Sequence, residues 1–182
     1  SITGRIAKQL YPDADISIMA ERGVKIIHCP RANLANHGFP KTPQILEDGA
    51  SVGLGCDGAA PSNLDLFDEI KVLRYAMIGY WGLPSFNPVV MPCAKLLEMA
   101  TQGGANAIGH GDILGTVEEG KKADLILLNI DQPHILPTQN LLNTIVDAAS
   151  SHDVTDSIIN GKLVMKDREV LTLDGEKIMF EA

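Results

Sequence analysis

VKIIHC (24–29) is an apolar, β-branched run closed by Pro30, and SVGLGC (51–56) is a second such run closed by Asp57-Gly58. Both have the length and punctuation of buried strands. Ahead of the first, DADISIMAERG (13–23) suits a helix with an acidic start and a glycine stop. RANLANHGFPKTP (31–43) has the chemistry of a loop. At its end Thr42 caps a short helix that has Pro43 at its first position and Gly49 as its stop. After the second strand a longer helix is expected over 64–78. There Leu66, Phe67, Ile70, Leu73 and Met77 fall near helical spacing, and Ser62 or Asn63 serves as cap. YWGLPSFNPVVMP (80–92) carries three prolines and reads as a loop, and a further helix follows over 93–107. Strands alternating with helices in this order predict parallel βα units.

Beyond Ile108 the character changes. A turn-rich connection (115–122) leads into ADLILLNI (123–130), an almost wholly apolar strand. A proline-bracketed loop (131–139) and a helix (140–149) come next. Short strands are expected at 154–159, 162–165 and 169–173, and Asn160-Gly161 between the first two is a strong hairpin signal. The chain end is therefore expected to form a small β-rich unit.

Composition narrows the function classes. The 182 residues are 45% hydrophobic and 21% charged, the balance of a globular protein with room for one ordinary domain or a little more. A formal net charge of −8 speaks against a nucleic-acid partner, because neutralising phosphates needs a basic surface. No apolar run reaches the roughly 18 residues of a membrane span. SITGRIAKQL (1–10) has no secretory-signal pattern. Cys29, Cys56 and Cys93, without a CxxC pair, fit free thiols in a reducing cytoplasm.

Asp57 is the foremost candidate for chemistry. It follows an apolar strand directly and precedes a glycine, in CDGAAPSN (56–63). A carboxylate at the C-terminal end of a buried parallel strand is where α/β barrels place catalytic groups. Such a carboxylate can bind a metal, take a proton from water, or do both. An Asp-Gly pair also closes strands as a plain turn. His28 ends the preceding strand in the same fashion, with Asn33 and Asp57 as its nearest candidate partners; a histidine there can equally be a structural one. His37 sits in a loop beside a glycine. His110 and His152 have no partner spacing, and His134 lies in PHILP, where prolines fix a loop. HxH, HExxH and HxxE patterns are missing, as are a GxSxG elbow, a Walker loop and a GxGxxG after a strand. A complete hydrolytic metal site needs three or more protein ligands, so this chain alone does not assemble one.

Taken in order, several segments resemble the amidohydrolase superfamily, most closely its branch of methylthioadenosine/S-adenosylhomocysteine deaminases and related aminohydrolases. HCPRAN (28–33) is similar to an HxPxSN element at the end of the seventh barrel strand, and LGCDG (54–58) to the LGTDG at the end of the eighth. LDLFDEIKVLR (64–74) resembles the helix that follows. LEMATQGGANAIG (97–109) resembles an LxMATxxGAxAxG helix, GTVEEGKKADLI (115–126) the GxVExGxxADL connection, and INGK (159–162) a VNGK hairpin.

The resemblance implies an α/β fold: the C-terminal part of a (β/α)8 metal-dependent hydrolase barrel, its last two strands and helices, plus part of the accessory β-sandwich domain. Residues 13–112 would be barrel, 113–182 the accessory β-rich unit, and 1–12 an unmatched lead-in. It also implies hydrolytic deamination of a purine nucleoside-like or other heterocyclic amine, with triazine and guanine aminohydrolases as related possibilities. Asp57 would be both catalytic residue and ligand of one divalent metal, zinc or iron. His28, Asn33 and Pro61 would lie on the substrate side. Two departures stand out: Ala32 occupies the serine position of HxPxSN, and Cys56 the threonine position before the aspartate. The family's upstream metal ligands and general acid have no counterparts. The chain is thus expected either to be completed by a further segment or subunit, or to be an inactive association module. Two barrel strands leave sheet edges and apolar surface open, so self-association is expected.

Overall fold

The computed structural model describes residues 13–36, 38, 41–58, 63–87 and 89–181. It is a mixed α/β structure with two sheets. Helix α1 (Asp13–Glu21) ends in a turn at Gly23 and hands over to β1 (Lys25–His28). Helices α2 (Pro30–Asn36) and α3 (Thr42–Glu47) precede β2 (Ser51–Leu54), which pairs with β1 in parallel from Lys25↔Ser51 to His28↔Leu54. The expected loop after β1 thus contains a helix. Pro30 accounts for it, since a proline at the first helical position is pre-set for helix and gives up no bonded N–H.

Helix α4 (Leu66–Met77) buries Ile70, Leu73 and Met77, spaced by three and four, along one face. Asp65 caps it by accepting the Phe67 N–H at 2.9 Å. Asp68 and Glu69 in its first turn and Arg74 in its last suit the helix dipole. The helix runs on into a π-helical turn (Ile78–Gly82), taking in the first part of the stretch expected as loop. Helix α5 (Cys93–Glu98), a second π-helical turn (Met99–Gly103) and α6 (Gly104–Ala107) together fill the helix expected over 93–107. They press on β2 so closely that a Cβ on Gly103 would sit 2.4 Å from the Val52 carbonyl oxygen. One core gathers Ile26, Val52, Leu54, Leu73, Leu96 and Met99, and reaches Val146 of α7 (Leu141–Ala148). Each such side chain removed from water contributes about 1.5–3 kcal/mol.

The second sheet is antiparallel, in the order β3 (Leu125–Leu128), β4 (Val154–Ile159), β5 (Lys162–Lys166), β6 (Glu169–Val170). Asn160 and Gly161 join β4 to β5 with φ of 50° and 76°, the left-handed pair of a tight hairpin turn. Strand β6 is shorter than expected, and a final exposed helix, α8 (Gly175–Glu181), was not foreseen. Lys121 locks the connection before β3, donating to the Gln102 side chain and to the carbonyls of Gly111 and Leu114. No helix of the described residues is long and apolar enough to cross a membrane. Ile27, Ile126, Leu127 and Leu163 on the strands remain substantially exposed.

Candidate active site

The parallel ladder extends one residue past its strands, through the Gly55 N–H donated to the His28 carbonyl at 3.0 Å. Two residues on, the chain turns sharply. Asp57 takes φ 59°, a left-handed conformation that aspartate tolerates better than most side chains. Its Oδ1 accepts the N–H of Gly58 at 2.7 Å, which steadies the turn and leaves the carboxylate at the surface. The Asp57 N–H in turn points at the Cys29 sulfur. Burial pushes the Cys29 thiol up, and that N–H works in the opposite direction. Cys29 and Asp57 line one cavity of about 480 Å³, together with Met19, Val24, Lys25, Ile26 and Ile27.

His28 lies behind this surface, only 4% exposed. Its Nδ1 is 3.2 Å from the Thr42 hydroxyl, and its Nε2 has no hydrogen-bond partner among the described residues. Burial lowers its pKa to about 3, so the ring is neutral near pH 7. Asn33, on α2, is 3% exposed, and its Oδ1 also lacks a partner among the described residues. Buried polar atoms of this kind are few in folded proteins and call for an explanation. Pro61 and His37 lie outside the described residues. His110 and His152 are exposed. His134 pairs through Nε2 with Asp153 at 2.9 Å, inside the Ser150–Asp153 capping box, which is a structural duty.

Arg31, which drew no attention in the sequence, stands at the centre of a polar network between the end of β1 and the start of α4. Its N–H donates to Glu69 Oε2 at 2.8 Å, and its guanidinium reaches Asn63 Oδ1 at 2.8 Å and Asp68 Oδ2 at 3.3 Å. Its position directly after the strand-closing Cys29-Pro30 was the available signal. Among the described residues no three His, Cys, Asp or Glu side chains come together as a metal site. Asp57 by itself offers one ligand, which does not fit a complete divalent-metal centre.

An amidohydrolase family model matches residues 3–164, beginning inside the lead-in at 1–12. The 5-methylthioadenosine/S-adenosylhomocysteine deaminase of Pelotomaculum thermopropionicum is 43% identical over 175 residues, covering 93% of this chain and 39% of that protein. The enzyme of the same name from Dictyoglomus thermophilum is 40% identical over 172 residues, with the same coverage of 93% and 39%. Among solved structures, a zinc-bound adenosine deaminase from Xanthomonas campestris superposes with a TM-score of 0.88 at 31% identity, over 94% of this chain and 39% of that one. An atrazine chlorohydrolase from Arthrobacter aurescens complexed with zinc follows at 0.80 and 25%, over 94% of this chain and 38% of that one. The chain therefore spans about two fifths of the length of the curated relatives it matches.

Proposed function

This chain belongs to the amidohydrolase family, and from that premise we propose that it supplies the C-terminal part of a hydrolytic deaminase. The reaction is hydrolysis of the C–N bond of a cyclic amidine. Water adds to the ring carbon that bears the amino group, and ammonia leaves. The substrate is a small heterocyclic amine, purine nucleoside-like by the names of the relatives at about 40% identity. In this reading β1 and β2 are the last two strands of a (β/α)8 barrel, residues up to 112 belong to that barrel, and the antiparallel sheet is part of the accessory β-rich domain. The protein works in the cytoplasm, and the remaining strands come from a further segment or subunit.

The observation that carries the proposal is the placement of Asp57: an exposed carboxylate, in a left-handed turn, just past the C-terminal end of a parallel strand and on the wall of a cavity. There it accepts a proton from the attacking water and returns it to the leaving nitrogen. His28 Nε2 and Asn33 Oδ1 support a substrate-side role for these two residues, since both are buried polar atoms without a partner among the described residues. The same substrate-side role is proposed for Pro61. One divalent ion, zinc or iron, would complete the centre with Asp57 among its ligands, and would supply a bound water of lowered pKa. Among the described residues no three metal-ligating side chains gather, so its other ligands would come from outside them.

The test is ammonia release from methylthioadenosine, S-adenosylhomocysteine and adenosine, by the protein that joins this chain to its remaining barrel strands. Asp57→Asn is expected to abolish turnover, and retained turnover sinks the reading. Guanine belongs in the same panel, and a chlorotriazine beside it is read by chloride release, because the likeness to an atrazine chlorohydrolase favours a triazine hydrolase as second reading. Metal content and native mass of the 182-residue chain alone separate an enzyme part from an inactive association module.

A further inference from the structure

We infer that Arg31 is a positioning residue that fixes where the chain returns after Asp57. Arg31 occupies the position that the HxPxSN pattern leaves open, one residue past the proline that closes β1. Its backbone is anchored first: the Arg31 N–H donates to Glu69 Oε2 at 2.8 Å, and Glu69 is fully buried. From this fixed base the guanidinium reaches Asn63 Oδ1 at 2.8 Å and Asp68 Oδ2 at 3.3 Å. Asn63 returns the grip, donating from Nδ2 to the same Asp68 oxygen at 3.1 Å. Its Oδ1 also accepts the Asp65 N–H at 3.1 Å. Asp65 caps α4 in turn. One side chain thus ties the end of β1 to the segment that enters α4.

The consequence for the site follows from chain connectivity. Asp57 is held at its own end by the turn with Gly58 and by the ladder bond between Gly55 and His28. Further along the chain, Arg31 holds Asn63. Gly55 and Asn63 are thus both tied to the end of β1, through His28 and Arg31. Arg31 and Asp68 are each more buried than exposed, at 27% and 35% side-chain exposure, so the pair is shielded from water and salt more than a surface ion pair. A single guanidinium nitrogen, Nη1, serves both acceptors at once. Arg31 does not reach the carboxylate of Asp57, and its effect on chemistry runs through Asn63. In the deaminase reading, on which this second half of the inference rests, Arg31 sets the fit of the substrate and leaves the bond-breaking step alone.

The experiment has two independent readouts on Arg31→Met and Arg31→Lys. Amide hydrogen exchange on the 182-residue chain follows Asp65 and Phe67, with α7 as internal control. Arg31→Met is expected to speed exchange at Asp65 about tenfold and to leave α7 unchanged, with Arg31→Lys in between. Steady-state kinetics on the barrel-completed enzyme is expected to show KM raised about fivefold and kcat held within twofold. Unchanged exchange at Asp65 overturns the clasp, and faster exchange with unchanged KM overturns its role in substrate fit. If Arg31→Met loosens α7 as well, Asp68→Ala takes its place; local acceleration at Asp65 is then expected, and its absence overturns the clasp. A wild-type enzyme without deaminase activity defeats the functional reading and leaves the exchange result to decide the clasp alone.

Discussion

The carboxylate of Asp65 accepts the backbone N–H of Ser151 at 2.9 Å, joining positions 86 residues apart. Its other oxygen caps α4 through Phe67. One side chain thereby closes a helix and fastens the segment before β4 to the helical core. Asp65→Ala is expected to cost about 1–3 kcal/mol, because it removes a helix cap and a charge-assisted bond together. Urea unfolding of the 182-residue chain measures it, and a midpoint unchanged from wild type would show that the link contributes nothing.

Asp65 and Asp153 also set the acid limit. Burial alone would raise both carboxyls, but N–H donors outweigh it: Ser151, Phe67 and Asp68 for Asp65, Ser150 with His134 for Asp153. The folded values therefore lie below the ordinary 3.8. A depressed carboxyl contributes stability above its unfolded pKa and loses it as pH falls through the folded one. Stability from these two residues is expected to be complete above about pH 4 and to drain away below it. Asp65→Asn should flatten part of that acid limb in a series of thermal melts.

His28 acts in a different window. Its folded pKa of about 3 against an ordinary 6.5 means that the unfolded chain takes up a proton which the folded chain refuses. Stability is thus expected to be level above pH 6.5 and to decline below it, by up to about 1.4 kcal/mol per pH unit from this one group. Comparing urea midpoints at pH 7.5 and 5.5 in wild type and His28→Gln isolates the effect. Equal pH slopes in the two proteins would refute it.

Asp57 carries a conformational cost separate from any catalytic one. At φ 59° an asparagine or glycine fits, whereas an alanine is strained by about 1 kcal/mol. Asp57→Asn is expected to match wild type in thermal melting and Asp57→Ala to melt lower. Equal melting of the two variants would mean that the turn relaxes freely.

Gly103 is expected to tolerate nothing larger. A methyl group there meets the Val52 carbonyl at 2.4 Å, and that oxygen belongs to β2 backbone that cannot step aside. Gly103→Ala should lower stability by about 1–3 kcal/mol or more. Retention of the wild-type melting temperature would contradict the close packing of β2 against the second π-helical turn.

What was legible in the sequence followed its strongest local signals. VKIIHC and SVGLGC mark β1 and β2 to within a residue or two, because bounded β-branched runs have few other uses. Asn160-Gly161 marks the hairpin because few other pairs accept two left-handed residues in succession. The π-helical turn after α4 was hidden, since Tyr80, Trp81 and Gly82 carry no helical signature and the turn is shaped by packing. At the site, Asp57 was visible as a carboxylate in a strand-closing turn. Arg31 was not, because its partners Asn63, Asp68 and Glu69 lie more than thirty residues away and only the fold brings them near. The burial of His28 and Asn33 was equally out of reach, being a property of what α2 and α3 cover.

The hairpin of β4 and β5 has a bearing on how the chain assembles over time. Its two strands meet across a two-residue turn, while β1 and β2 wait for residues 29–50 to be organised between them. Closing a short turn takes microseconds, and bringing distant parallel strands together is slower because loop entropy is spent before the contacts return it. The segment that forms fastest therefore lies after the parallel pair in the chain. Until its neighbours have folded, the parallel pair leaves Ile27 open to other chains, and the risk of aggregation is greatest in that interval. Pulse-labelled exchange during refolding should protect Ile158 and Leu163 before Ile26 and Val52, and the opposite order would rule this sequence of events out.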